Sequence, residues 1–297
     1  MGSINRISEP CFPGKSVGAL SFCSKGNPNT RAMISGHPEA QRPDALPPLL
    51  QRTRILVGDA GIARLQSARV LVAGLGGVGS FAAEALARAG VGDLTLADHD
   101  RVAGSNLNRQ LVALESTLGL PKAEVMAGRI RDINPNCRLT LIQRFLEPDD
   151  MAPLLGLGFD QVVDAIDSLS SKVELIATAV AQGVPILSSM GAGGRLDPTR
   201  LRVGDLTDTR VCPLARVVRS RLRRRGIGRG VTVVWSDEPA RAPLPPEDLG
   251  RGRPRAVNGT LSYLPALFGL TLAGIAVNRL LGSDPGSQRR PDRGSGG

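Results

Sequence analysis

Aromatic residues make up only 3% of this 297-residue chain, with one Trp and one Tyr among them. A core must therefore be packed from Leu, Val, Ile and Ala, and the 41% apolar content is enough for one sizeable core. Cysteine is scarce too. Cys11, Cys23, Cys137 and Cys212 lie far apart and form no C-x-x-C pair. That spacing argues against a zinc ribbon or a disulfide framework and makes a reducing compartment the expectation. No secretory apolar core is present. Residues 1–50 lack the amphipathic arginine helix of a transit peptide, although acids are sparse before Glu39. The cytoplasm is the expected location. Acids are outnumbered overall, 27 against 37 Lys plus Arg, nearly all arginine. The resulting net charge of +10 favours a polyanionic partner and says nothing of the fold.

What the chain does have is a glycine run, Gly74-Leu75-Gly76-Gly77-Val78-Gly79. Before it, Arg69-Val70-Leu71-Val72-Ala73 reads as a buried parallel strand. After it, Ser80 to Ala89 is rich in strong helix formers. Strand, glycine turn and helix in this order cradle a phosphate, because the turn lets backbone approach an anion and the helix start offers unpaired N–H groups. A second strand, Leu94 to Ala97, ends in Asp98, nineteen residues beyond Gly79, where an acid can hold ribose hydroxyls. A nucleotide is expected here. Gly74, Gly76 and Gly79 also satisfy the dinucleotide fingerprint, so the turn alone leaves a nicotinamide or flavin enzyme open.

Strands and helices alternate from there. A helical pattern from Pro48 to Leu65 (Leu49, Leu50, Leu56, Ile62, Leu65) leads in. A helix is predicted over Lys122 to Ile133, stopped by Asn134-Pro135, and another over Lys172 to Gln182. Strands are predicted at Arg138 to Ile142, Gln161 to Ala165 and Pro185 to Ser189. The fold class is α/β: a doubly wound, mostly parallel, Rossmann-like sheet with helices on both faces and a C-terminal apolar helix. Residues 1–50 read as a disordered extension, 51–281 as one domain and 282–297 as a disordered tail. Within the domain, 210–229 carries eight arginines and no acid, 237–256 reads as a surface loop, and Ala256 to Asn278 is free of charge. That last run is long enough to span a bilayer, but it contains Gly259, Pro265 and Gly269 and has arginines at both ends. We expect a helix over 259–281, buried or facing a dimer partner, and no stable span; 256–278 is the stretch through which any membrane association would run.

Beyond Asp98 come Asp100, Ser105-Asn106-Leu107-Asn108-Arg109-Gln110, Gly119-Leu120-Pro121-Lys122 and Asp164-Ala165-Ile166-Asp167-Ser168. With the glycine turn, this set resembles the nucleotide site of the ubiquitin-activating-enzyme-like adenylyltransferases, which include ThiF and MoeB. The resemblance implies ATP-dependent adenylation of a carboxylate. Phosphates then gather negative charge and need fixed cations around them. Arg109 suits a fork donor, Lys122 a point charge, and Asn106 an uncharged donor. The implied cofactor-binding set is Gly74, Gly76, Gly77, Gly79, Asp98, Asp100, Asn106, Arg109, Lys122 and Arg52. Asp167 would hold Mg2+. An arginine before the first strand reaches into the partner subunit's site in that family, which implies a homodimer; Arg52 is the better match and Arg54 the rival.

The chain departs from the sulfur-carrier branch in lacking its paired C-x-x-C, and Cys212 is expected to be structural, with no His or helix N-terminus evident to activate it. Ser188 to Thr199, Asp205 to Thr209, Pro213 to Arg219 and Gly259 to Leu281 instead resemble the tRNA threonylcarbamoyladenosine dehydratases. That family implies a ligase-type reaction in which ATP adenylates the threonyl carboxylate beside the tRNA anticodon and the carbamoyl group closes a ring with loss of AMP. Implied partners are tRNA and a sulfur-transfer protein of the cysteine desulfurase type, and the arginines of 210–229 would lie on the tRNA backbone. Activation of a sulfur-carrier or ubiquitin-like tail is the alternative. A nicotinamide dehydrogenase would leave Arg109 and Lys122 unexplained.

Overall fold

The computed structural model describes residues 46–247 and 255–283. The chain divides into two units, Met1–Ala45 and Leu46–Gly297. The first lies outside the described residues, as do most of the expected extension and nearly all of the expected tail. Pro48–Leu50 forms a 3-10 turn whose Leu50 is buried. Helix α1, Gln51–Ser67, follows and breaks at Gly58, where the backbone leaves the helical region at φ 68° and ψ 178°. Past the break Ile62 and Leu65 are buried; before it Ile55 and Leu56 are exposed, Leu56 at 87%. The apolar spacing therefore marks a buried face only in the second half of this helix.

The main unit then runs β1 (Arg69–Ala73), α2 (Gly79–Ala89), β2 (Asp93–Ala97), α3 (Lys122–Ile133), β3 (Arg138–Ile142), α4 (Met151–Leu155), β4 (Gln161–Asp164), α5 (Leu169–Gln182) and β5 (Ile186–Ser189). It continues through β6 (Leu201–Asp205), α6 (Pro213–Arg223), β7 (Thr232–Ser236), β8 (Leu244–Glu247), β9 (Arg255–Val257) and α7 (Tyr263–Leu280). Seven strands form one sheet in the order β3-β2-β1-β4-β5-β7-β6. All neighbours are parallel except β6 and β7. Successive residues of β1 face opposite sides of the sheet. Val70 and Val72 join a core with Leu86 of α2, Met126 of α3 and Phe268 of α7. Leu71 and Ala73 join another with Met151 of α4, Ile176 of α5 and Val218 of α6. Chain order reverses between β1 and β4, and in such sheets ligands lie beyond the carboxyl ends of the strands at that point.

Three differences from the sequence reading have local causes. The alternation legible in the sequence stops at β5, and β6 and β7 extend the sheet with an antiparallel edge. Part of the expected 237–256 loop pairs as the ribbon β8–β9. The charge-free run from Ala256 is not all helix, since α7 begins only at Tyr263. By length and composition α7 could cross a membrane, yet it lies against α2. A Cβ on Gly269 would stand 2.2 Å from the Val78 carbonyl oxygen, so only glycine allows that approach. Burial of Phe268 and Leu272 beside it stabilises the fold by about 1.5–3 kcal/mol each.

Candidate active site

The site grows out of the β1–α2 turn. The Gly74 N–H donates to the Ala97 carbonyl at 2.7 Å, fixing the turn to the end of β2. A Cβ on Gly79 would fall 1.7 Å from the Gly74 carbonyl oxygen, so the tight return into α2 requires glycine. No side chain caps α2; the Ser80 and Ala82 N–H groups donate to the Gly76 and Val78 carbonyls, and the positive end of the helix still faces the turn, where an anion is favoured. The Asp98 carboxylate accepts from the N–H groups of Leu75 at 2.6 Å and Asp100 at 2.8 Å. Burial pushes this carboxyl above its ordinary range, against the pull of Lys122 and those two N–H groups. Asp98 thus staples the glycine turn to β2 as well as facing the cavity.

Lys122, at the start of α3, is only 4% exposed. Its ammonium donates to Asp100 Oδ2 at 2.8 Å, and its N–H to the Asp100 carbonyl at 3.0 Å. The structure therefore gives Asp100 a definite part as the counter-ion that holds this cation in place. Arg109 is half-buried and donates through Nη1 to the Ser105 carbonyl at 2.8 Å and to Asn108 Oδ1 at 3.0 Å; burial lowers its pKa. Asn106 Oδ1 accepts the Ala103 N–H at 3.2 Å, leaving its NH2 group as the remaining donor. Asp167 is exposed at the end of the β4 loop.

Gly74, Gly76, Gly77, Asp98, Asp100, Asn106, Arg109, Lys122 and Asp167 all line one cavity of about 390 Å3. Gly79 lies behind it at the start of α2. Arg52 sits on the exposed first half of α1 and is not among the cavity-lining residues, and the Arg54 guanidinium is paired with Asp59 at 2.7 Å. Ligand atoms of Asp98, His99 and Asp100 lie within 4.8 Å of one another. The Asp98 oxygens, however, are engaged by N–H groups and Asp100 by Lys122, which makes this trio a poor metal seat.

Two features of the cavity escaped the sequence reading. Gln110 belongs to the S-N-x-N-R-Q stretch, and its Oε1 is buried in the cavity wall without a hydrogen-bond partner. Another stretch of the wall is a neutral rim of Met190, Gly191, Ala192 and Gly193 with Leu214, while Pro265 lies against the glycine turn, 3.0 Å from where a Cβ on Gly77 would stand. Arg195, 3% exposed, holds this rim by donating to the carbonyls of Gly191 at 2.6 Å and Gly193 at 2.9 Å. The glycine repeat of Gly191 to Gly194 was a visible signal, but the buried arginine behind it was not.

Cys212 corrects one expectation in part: it does stand at a helix N-terminus, just before Pro213 at the start of α6, yet its side chain is buried. Burial pushes the Cys137 thiol up to about 11, so it offers no ready thiolate, and the Cys212 side chain is shut away from solvent by burial. The arginine segment also differs from expectation, because part of its counter-charge comes from elsewhere in the chain. Arg225 pairs with Glu174 at 2.7 Å and Arg229 with Asp208 at 2.6 Å. Arg219 donates to the Thr209 carbonyl at 2.9 Å. In α6, Ala215, Val218 and Leu222 face the core, while Arg216, Arg219, Ser220 and Arg223, with Arg224 just past the helix, line a surface groove.

A family model described as the ThiF family matches residues 50–291. The tRNA threonylcarbamoyladenosine dehydratase of Bacillus subtilis is 38% identical over 237 residues, covering 77% of this chain and 93% of that protein. Among solved structures, E. coli tRNA N6-threonylcarbamoyladenosine dehydratase in complex with AMP matches with a TM-score of 0.70 at 40% identity, over 78% of this chain and 93% of that one. The same enzyme in complex with ATP matches with a TM-score of 0.70 at 39% identity over the same shares.

Proposed function

The chain belongs to the ThiF family, and from that premise we propose that it is an ATP-dependent tRNA threonylcarbamoyladenosine dehydratase. One observation carries the reading above the rest. The glycine turn, two held cations and an exposed carboxylate share one cavity at the strand ends, in a chain similar to an enzyme solved with ATP and with AMP.

ATP lays its phosphates on the turn and the start of α2. A threonyl carboxylate oxygen attacks the α-phosphorus, forming one P–O bond as the bond to pyrophosphate breaks. Charge accumulates on the phosphate oxygens, where Lys122 and Arg109 offset it; loss of one such preorganised contact costs about 2.7–4 kcal/mol in the transition state. The carbamoyl group then attacks the acyl carbon, AMP leaves with one carboxylate oxygen, and the ring closes with a proton released. The net loss of water is carried by the cleavage of ATP to AMP and pyrophosphate. No enzyme nucleophile is needed, in keeping with the two buried cysteines.

Mg2+ belongs to the same proposal. Asp167 is an exposed, hard oxygen donor in the cavity wall and suits that ion, which when bound would neutralise phosphate charge. We assign tRNA backbone contacts to the outward arginines of α6 and the residues after it. A homodimer with Arg52 acting in trans completes the site. It is tested by mixing Arg52→Ala and Lys122→Ala chains, where about a quarter of wild-type activity should return, one intact site per heterodimer. The expected location remains the cytoplasm, with α7 inside the fold, and a cysteine desulfurase type of partner is sought by co-purification. Pyrophosphate release with ATP and Mg2+ on threonylcarbamoylated tRNA, set beside release on a sulfur-carrier protein tail, tests the main reading. Release on the tRNA supports it, and release on the carrier tail alone would replace it.

A further inference from the structure

Under the floor of the cavity lies a cation that the chemistry above does not use. Lys172, in the first turns of α5, is 1% exposed, and its partner Asp164, the last residue of β4, is fully buried. The ammonium donates to three acceptors: Asp164 Oδ2 at 2.6 Å, the Ser189 carbonyl at 3.0 Å and Ser188 Oγ at 3.3 Å. The Ser188 hydroxyl in turn donates to Asp164 Oδ2 at 2.6 Å. The other carboxylate oxygen of Asp164 accepts the N–H of Ile166 at 3.0 Å.

A fully buried ion pair is weak ground for stability, since apolar side chains of similar volume often serve as well or better. Its place in the fold says more. One ammonium joins the carboxyl end of β4, the carboxyl end of β5 and the start of α5, and the second oxygen of the Asp164 carboxylate holds the Ala165–Ile166 peptide, directly before Asp167. Those ends open into the two loops that meet at the cavity, Ala165 to Ser168 on one side and Ser189 to Gly193 on the other. The Ala165 carbonyl also lies close to the phosphate turn, where only glycine leaves it room: a Cβ on Gly74 would lie 2.7 Å from its oxygen. The pair is neutral as a whole, so its field in the cavity is small and geometry is what it supplies.

We propose that Lys172 is a positioning residue: with Asp164 and Ser188 it sets the Ala165–Ser168 loop so that Asp167 meets the Mg2+ of the nucleotide in register with the neutral rim of Met190 to Gly193. This rests on the assignment of Mg2+ to Asp167. The role predicts a loss in the chemical step and in Mg2+ use, with nucleotide binding intact, since the glycine turn, Asp98 and Lys122 are held by other bonds.

The test uses the full chain with Lys172→Met and Asp164→Asn combined, which removes both charges at similar volume, and Ser188→Ala, which keeps the pair and deletes one hydrogen bond. Asp167→Asn runs beside them. ATP affinity is read by calorimetry without Mg2+, and turnover on threonylcarbamoylated tRNA is read across a Mg2+ titration. The double variant should keep its ATP affinity, lose about 10–100-fold in kcat and need about tenfold more Mg2+ for half-maximal rate. Ser188→Ala should move the same two quantities in the same direction by about threefold, and it decides alone if the double variant does not fold. A merely structural role would lower the melting temperature and leave the Mg2+ requirement where it was. A raised requirement in Asp167→Asn with none in the other variants overturns the positioning role. An unchanged requirement in Asp167→Asn overturns the Mg2+ assignment and the positioning role with it.

Discussion

The two walls of the cavity are built from different materials. On the nucleotide side, charged side chains do the holding: Asp98 grips the turn, Asp100 grips Lys122, and Arg109 is anchored in its own loop. On the other side, the lining from Met190 to Gly193 with Leu214 carries no charge, and Arg195 lies behind the rim on its backbone carbonyls. In the proposed reaction, fixed charge would stand where phosphate charge develops, and uncharged backbone would admit the carboxylate of a bulky polyanionic substrate.

Removing the charges of the first wall should do the most damage. Lys122→Ala and Arg109→Ala are each expected to lower turnover at saturating ATP about 100-fold or more, in line with about 2.7–4 kcal/mol for a lost transition-state contact. Near-normal rates in both would remove the distinction between the walls. Loosening the second wall should act on the other substrate. Arg195→Met is expected to raise the tRNA KM or lower turnover about tenfold while ATP affinity holds; an equal loss in ATP affinity would show that the walls are not separable.

Asp98 sharpens the contrast through pH. Its carboxyl is raised by burial, and the ribose-holding role expected of it would use the ionised form. ATP affinity should therefore fall as pH drops toward the carboxylate range, beginning above the ordinary Asp value of about 3.9. In stability the sign is opposite: the raised group favours the fold below the ordinary value, and that contribution is lost as pH rises through the raised one. Calorimetric titrations of ATP should show the wild-type slope and a flat line in Asp98→Asn. The smallest effect is expected outside the cavity. Replacing Arg223, Arg224 and Arg225 by Ala should flatten the salt dependence of tRNA binding by about two counterion units, because Arg225 is already paired with Glu174. An unaltered slope would place the tRNA elsewhere.

Much of the first wall was legible in the sequence, because it is local. The glycine turn, Asp98 and the Asn106–Arg109–Lys122 stretch lie within fifty residues of one another, and turn chemistry and charge type announce them. Helix α3 was readable to its last residue because Asn134-Pro135 stops it. The second wall was far less visible. Arg195 and Glu238 come from separate segments and act on backbone, with Glu238 accepting the N–H groups of Leu196 and Asp197. The Lys172–Asp164 pair looks in sequence like an ordinary surface lysine and a strand-end acid. The antiparallel edge β6–β7 gave no alternating signal strong enough to mark it, and α1 carries apolar residues on both sides of a glycine break that spacing alone does not show.

The most direct test of the central claim follows one oxygen. Threonylcarbamoylated tRNA prepared with heavy oxygen in the threonyl carboxylate is incubated with ATP, Mg2+ and the protein, and the nucleotide product is weighed by mass spectrometry. Attack of that carboxylate on the α-phosphate predicts AMP carrying one heavy oxygen, alongside a nucleoside lighter by one labelled water. Unlabelled AMP, or label appearing in inorganic phosphate beside ADP, would contradict the acyl-adenylate route.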